Sequence, residues 1–319
     1  MLAVSAQIAL RMKAAPQDGS CAAEGDRVPV VTLNGVDINY VDQGTGETLV
    51  LIHNVVANID AFSDNIPFLS RHFRVIACDL RGHGKSSKSE DGSKAASFYN
   101  FERMAEDISL LLKHLGVDTY HVLGQAFWGG STAGHLFDLD FRRVKGIIFS
   151  SSSLLSMDEG VAPYAMLGPV GIARFERMIA LAQSEGMMGV YEERIRSKQF
   201  WSGRVLNSPE ILARFAEMHG VTSPTAFANF PHFSHARKRS IVEKIRQAEL
   251  PVMVMLGEDD TDTAQLVRGA REDYADTHVI SLPDCGHYIA IENPLDFNFA
   301  VSNFVGGSIL RAANQARKA

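Results

Sequence analysis

Gly124-Gln125-Ala126-Phe127-Trp128-Gly129-Gly130 decides how this chain is read. A β-rich run from Thr119 to Leu123 leads into it, and a helix-like run from Ser131 to Leu139 leads out. Strand, sharp turn, helix is the setting in which a G-x-S-x-G turn lifts a serine hydroxyl above a sheet. Here the residue after Gly124-Gln125 is Ala126, whose methyl group can attack nothing.

Working outward, the same strand–helix alternation fills most of the chain. Val28 to Leu33 and Val36 to Val41 are β-type runs flanking Asn34-Gly35, the strongest short hairpin signal. Pro29 cannot donate to a ladder, so the first of these belongs at a sheet edge. Thr48 to Ile52 is continuously apolar, as expected of a strand buried on both faces, and Phe73 to Ala77 repeats that character. Between them, Ile59 to Arg71 is partly helical and interrupted at Pro67. Phe101 to Leu115 carries Met104, Ile108, Leu111 and Leu112 at helical period, and Gly116 is its stop signal. Further strands are expected at Val144 to Phe149, Pro251 to Leu256 and His278 to Leu282. Alternation of this kind predicts an α/β fold with a mostly parallel sheet and helices on both faces.

The alternation breaks between Leu154 and Arg239, a stretch rich in Met and aromatic residues at helical spacing. It reads as a helical insertion. The expected organisation is therefore an extension over 1–26, a core over 27–153 and 240–306, a helical cap over 154–239, and a tail over 307–319. The extension is weakly apolar with its charge after, not before, the apolar part, which argues against a secretory signal. It is expected to be poorly ordered.

Composition narrows the function classes. The 319-residue chain is 46% hydrophobic and 21% charged, with a formal charge of -6, so a nucleic-acid-binding surface is not expected. It has no apolar run of membrane-spanning length. Cys21, Cys78 and Cys285 are odd in number and far apart, which suggests neither a disulfide framework nor a zinc site. A cytoplasmic setting and a small-molecule substrate are the resulting expectations, with no metal and no cofactor. Oligomeric state is not encoded in any feature that can be read here.

In open α/β sheets, ligands bind at the carboxyl ends of strands. Four polar clusters fall at such ends: His53-Asn54-Val55, Asp79 to Ser86, Gly257-Glu258-Asp259-Asp260, and Asp284-Cys285-Gly286-His287. Together with the elbow, in this order, they resemble the α/β-hydrolase superfamily over residues 28–305. The resemblance implies that His287 is the general base and that Asp260 orients its imidazole. It implies an oxyanion hole from the backbone N–H groups of Val55 and Phe127, and a substrate pocket that includes His53, Asn54 and Trp128. Asn54 stands where the family has glycine; Asn tolerates a left-handed backbone better than most residues, so the turn can survive the change. Taken singly, the residues have blander readings. Asp79, Arg81 and His83 are expected to brace a loop, and His232 and His235 to pack or face solvent.

The nucleophile can be placed in two registers. Read from the strand it is Ala126, and read back from Trp128-Gly129-Gly130 it is Phe127; we take 126. Trp after a nucleophile resembles the epoxide hydrolases and haloalkane dehalogenases, which attack with a carboxylate. Three explanations fit an alanine here. The chain is a serine-type hydrolase of a hydrophobic ester, lactone or related acyl substrate in a Ser-to-Ala form, or a non-catalytic ligand-binding protein on the same fold, or a His/Asp base catalyst without a covalent step. The first is the reading adopted, because Asp260 and His287 are both present.

Overall fold

A computed structural model describes residues 29–152, 168–198, 200–229, 238–260 and 277–316. Eight strands form one sheet: β1 Val30–Leu33, β2 Val36–Gln43, β3 Thr48–Ile52, β4 Arg74–Cys78, β5 Tyr120–Gln125, β6 Val144–Ser150, β7 Val252–Gly257 and β8 His278–Leu282. Their order across the sheet is β1-β2-β4-β3-β5-β6-β7-β8. β2 runs antiparallel to both its neighbours, and β3 to β8 are parallel. The mostly parallel α/β sheet expected from the alternation is therefore present. The Asn34-Gly35 hairpin is present too, with both residues at positive φ (50° and 78°), as a two-residue turn between right-twisted strands requires. β1, with Pro29 just before it, lies at the sheet edge.

The helices that matter here are α1 Phe101–His114, α2 Ala126–Asp140, α3 Gly168–Ser197, α4 Pro209–Gly220, α5 Lys238–Gln247 and α6 Pro294–Ala316. The residues of β3 alternate between two buried layers. Val50 and Ile52 face a core built with α1, α2 and α5, through Met104, Ile108, Leu136 and Ile241. Leu49 and Leu51 face a second core with residues 59–69 and α6, through Phe62, Leu69, Phe297 and Val301. Both faces of the strand are thus removed from water, which is why its sequence is apolar without alternation. Burying each such aliphatic side chain contributes about 1.5–3 kcal/mol.

α1 forms where the period predicted it. Asn100 caps it by accepting the Arg103 N–H at 2.9 Å, and Gly116 follows at φ 65°. Pro67 sits at the start of the short helix Ile66–Leu69, where a missing N–H costs nothing, so the stretch after β3 is two short turns instead of one broken helix.

Residues 168–229 hold helices and no strand among the described residues. α3 is bent at Gly186, which leaves helical geometry (φ 72°, ψ -170°). A third apolar cluster joins this region to the sheet side: Trp201, Val205, Phe215 and Met218 pack with Ala57, Ala61, Tyr288 and Ile291. α6 runs from Pro294 to Ala316 and so passes through residue 306. The N-terminal extension, Cys21, His232 and His235 lie outside the described residues.

Candidate active site

The elbow is built by close backbone approach. Gln125 ends β5 in extended geometry, and Ala126 then turns to φ 51° before α2 runs on. A non-glycine residue in this left-handed region costs about 1–2 kcal/mol. The cause is visible in the neighbours. A Cβ on Gly124 would stand 2.4 Å from the Gly129 carbonyl oxygen, and one on Gly129 would stand 2.6 Å from that of Ile52. Strand end, helix start and the end of β3 therefore meet backbone to backbone, and the chain must reverse within one residue. That residue is Ala126. Phe127 lies inside α2, with its ring 5.7 Å from that of Phe101.

Beside the elbow lies the loop after β3. The Val55 N–H donates to nothing among the described residues, and Phe127 is the second residue of α2. The left-handed residue of this loop is Val56, at φ 56°. A β-branched residue there is a genuine outlier, held because Val56 is completely buried and Ala57 N–H closes the turn on Asn54 O at 3.3 Å. Asn54 is buried, with its side-chain oxygen unpartnered.

Asp260 and His287 come together. Asp260 accepts from His287: Nδ1 lies 2.9 Å from Oδ2, with the Asp260 carboxylate sealed and the His287 ring slightly exposed. An Nδ1–H held this way fixes the tautomer that leaves Nε2 as the acceptor. Two backbone bonds extend the pairing of β7 with β8 into these loops, Glu258 N–H to Leu282 O and Asp259 N–H to Cys285 O, each 3.0 Å. The loop carrying His287 is fixed a second time by Glu292. Its carboxylate accepts the N–H groups of Gly286 and Tyr288, both at 2.9 Å, and the Ser202 hydroxyl. Those two amides flank His287. Ser202 follows Phe200, whose ring stands 5.1 Å from the His287 ring.

Two residues placed in the pocket from sequence have other work. His53 is fully buried, accepts the Leu80 N–H on Nε2 at 2.9 Å and donates Nδ1–H to Asn54 O at 2.7 Å, so neither nitrogen is left for a ligand. Burial holds its pKa low, consistent with a neutral ring. Trp128 is also fully buried. Its indole N–H points at Met104 Sδ and its ring meets His83 and Phe101, making it a core residue of α2. The motif's second glycine is replaced by this tryptophan, and Gly129 takes over the close approach.

The loop after β4 is a brace, as its residues suggested. Asp79 accepts from Ile59 N–H, Lys85 N–H and Asn39 Nδ2, while Arg81 makes a two-pronged pair with Asp107, both bonds 2.7 Å. Burial pushes the Cys285 thiol up to about 12, which leaves it an unreactive thiol two residues before His287. Among the described residues, no group of His, Cys, Asp and Glu is arranged to hold a metal, and no helix is long and apolar enough to cross a membrane.

Sequence reasoning missed Glu292 and Ser202. Glu292 ends the one-turn helix Ile289–Glu292 and reaches back to the N–H of its capping residue, Tyr288. A Glu following a turn by this spacing is the available signal, a relative of the capping box. Ser202 has none, since its partner is 90 residues away.

Comparison with known proteins agrees with this architecture. A family model described as the alpha/beta hydrolase fold matches residues 47–294. A 2-hydroxy-6-oxo-6-(2'-aminophenyl)hexa-2,4-dienoic acid hydrolase from Metapseudomonas resinovorans is 25% identical over 297 residues, covering 89% of this chain and 93% of that protein. A fluoroacetate dehalogenase from Burkholderia sp. is 34% identical over 117 residues, and the match spans only 37% of this chain and 38% of the relative. The solved structure of an enol-lactonase from Burkholderia xenovorans LB400 superposes with a TM-score of 0.71 at 20% identity, covering 87% of this chain and 100% of that one.

Proposed function

The chain belongs to the alpha/beta hydrolase fold family, and from that premise we propose that it is a serine-type hydrolase of a hydrophobic ester, lactone or related acyl substrate, with alanine at the nucleophile position. One observation carries the reading: Ala126 keeps the left-handed turn of a nucleophile elbow (φ 51°) although its side chain has no chemistry to present. In this scheme His287 Nε2 is the base, Asp260 holds its tautomer and stabilises the imidazolium, and the N–H groups of Val55 and Phe127 receive the oxyanion. As the chain stands it binds substrate and does not form an acyl-enzyme. Relatives named as a lactonase and as a hydrolase of a dienoic acid support an acyl substrate.

The Ala126→Ser variant tests this. Turnover of small acyl esters and lactones should appear in the variant, be absent in the parent, and vanish again when His287→Ala is added. A second reading has its own support, the completed His287–Asp260 bond in a chain with alanine at the elbow. In that reading the dyad removes a proton from the substrate directly. Activity in the parent chain that disappears with His287→Ala would establish base chemistry and dismiss the acyl-enzyme reading. Silence of the Ala126→Ser variant against every ester and lactone would dismiss it as well.

A further inference from the structure

Arg194, in the second half of α3, is only 4% exposed, yet no carboxylate pairs with it among the described residues. Its Nη2 donates to Tyr288 Oη at 2.6 Å, and its guanidinium lies over the rings of Trp201 and Tyr288, 5.4 and 5.6 Å from their centroids. A guanidinium has five N–H donors, and here one is used while the buried Nε donates to nothing. The indole N–H of Trp201, 5% exposed, is also without a partner among the described residues. His219 completes the group. It donates Nδ1–H to Phe215 O at 2.6 Å, and burial, reinforced by Arg194, pushes its pKa down to about 3, so it adds no charge. The neighbouring carboxylates are spent elsewhere. Glu292 holds Ser202, Gly286 and Tyr288, and Glu193 pairs with Arg177 and Arg196.

A buried cation faced by aromatic rings is incompletely compensated, because ring faces offset less of its lost hydration than an anion does. The unspent donors, guanidinium N–H groups and an indole N–H, suit a planar anionic acceptor, and a carboxylate fits the guanidinium fork best. The aromatic surroundings favour one carried on an apolar body. The position relates this group to the base. Tyr288 follows His287 directly, with ring centroids 5.3 Å apart, and Trp201 follows Phe200, whose ring is 5.1 Å from His287.

We propose that Arg194, Trp201 Nε1 and Tyr288 Oη form a carboxylate-recognition site, and that the ligand is an apolar acyl compound with a carboxylate at the end away from the scissile bond. The recognition site stands on the Arg194 cluster by itself, and only its relation to a scissile bond rests on the function proposed above.

Calorimetric titration of the unmodified chain tests it, using monoethyl adipate and its neutral counterpart, the ethyl ester of adipamic acid. The acid should bind about 10- to 100-fold more tightly than the amide. Arg194→Gln should erase that difference while changing amide binding little. Trp201→Phe keeps a ring and deletes the N–H, and should weaken the acid alone by several-fold. Equal affinity for acid and amide, no binding of either, or acid binding untouched by both substitutions overturns the site. Should Arg194→Gln fail to fold, the acid–amide comparison in the unmodified chain and the Trp201→Phe variant still decide. The two readings fail separately. Acid preference with a silent Ala126→Ser variant removes the hydrolase reading and keeps the site, and turnover of neutral esters without acid preference does the reverse.

Discussion

Replacing Glu292 by Gln changes one oxygen to an NH2 group at the point where the His287 loop is anchored. Oε1 accepts the Tyr288 N–H, and Oε2 accepts the Gly286 N–H and the Ser202 hydroxyl. Whichever way the amide is turned, one backbone N–H then faces another donor in a fully buried site. An orphaned buried donor costs about 1–3 kcal/mol, and the remaining bonds weaken by about 1 kcal/mol on losing a charged acceptor. Relief of carboxylate desolvation offsets part of this, so a net loss of about 2–3 kcal/mol is expected. The loss should be local. Amide hydrogen exchange at Gly286 and Tyr288 should accelerate about 30- to 150-fold, with strands β3 and β5 unchanged. In an Ala126→Ser background the same substitution should lower kcat more than it alters KM, because it loosens the base and not the pocket wall. Unchanged exchange at both amides, with a denaturation midpoint equal to that of the parent, would show that Glu292 does not hold the loop.

Gly124→Ala should be severely destabilising, by about 3 kcal/mol or more, because its Cβ would stand 2.4 Å from the Gly129 carbonyl and only backbone could move away. A melting temperature within a degree or two of the parent would contradict the close approach. Stability should also fall with acid. Burial pushes His121 down to about 4 and His219 down to about 3, whereas in the unfolded chain each titrates near 6.5. Below that value the unfolded state binds protons the folded state refuses, so each histidine removes up to about 1.4 kcal/mol per pH unit as pH drops. His53 and His83 are lowered in the same direction and steepen the fall. Urea midpoints measured at steps from about pH 7.5 to about pH 5 should decline only below about 6.5. A flat profile across that window would place these rings in water.

The sheet was legible because its signals are local. β3 and β7 are buried on both faces and so carry unbroken apolar runs, and Asn34-Gly35 specifies its turn by itself. The turn at Ala126 and the pairing of Asp260 with His287 were legible for a related reason, since they lie in the loops after β5, β7 and β8 and the fold brings those strand ends to one edge. What stayed hidden depends on partners far away in the chain. Arg194 sits in Tyr191-Glu192-Glu193-Arg194-Ile195-Arg196, a run that reads as a solvated face, and only packing under Trp201 and Tyr288 buries its charge. His53 and Trp128 show the reverse case. Position beside a motif suggested contact with substrate, but their hydrogen bonds to Leu80, Asn54 and Met104 turn both inward.

The alanine at 126 can be judged by asking what holds its backbone. Left-handed geometry costs an alanine about 1–2 kcal/mol, and nothing about a methyl group recovers that locally. The geometry is imposed from outside the residue. Gly124 and Gly129 bring β5, α2 and β3 so close that the reversal has nowhere else to occur. Residue 126 therefore has its conformation whatever its side chain, provided that side chain is small, and the strain belongs to the scaffold. It follows that Ala126→Ser adds an Oγ to a turn already shaped and leaves the fold as it was. The thermal stability of the two chains should then agree within about 0.5 kcal/mol, as expected of a substitution that makes no cavity and adds one atom. A larger gap would mean that the turn is shaped around the methyl group. With stability matched, any activity that separates the two chains is a property of the hydroxyl at position 126.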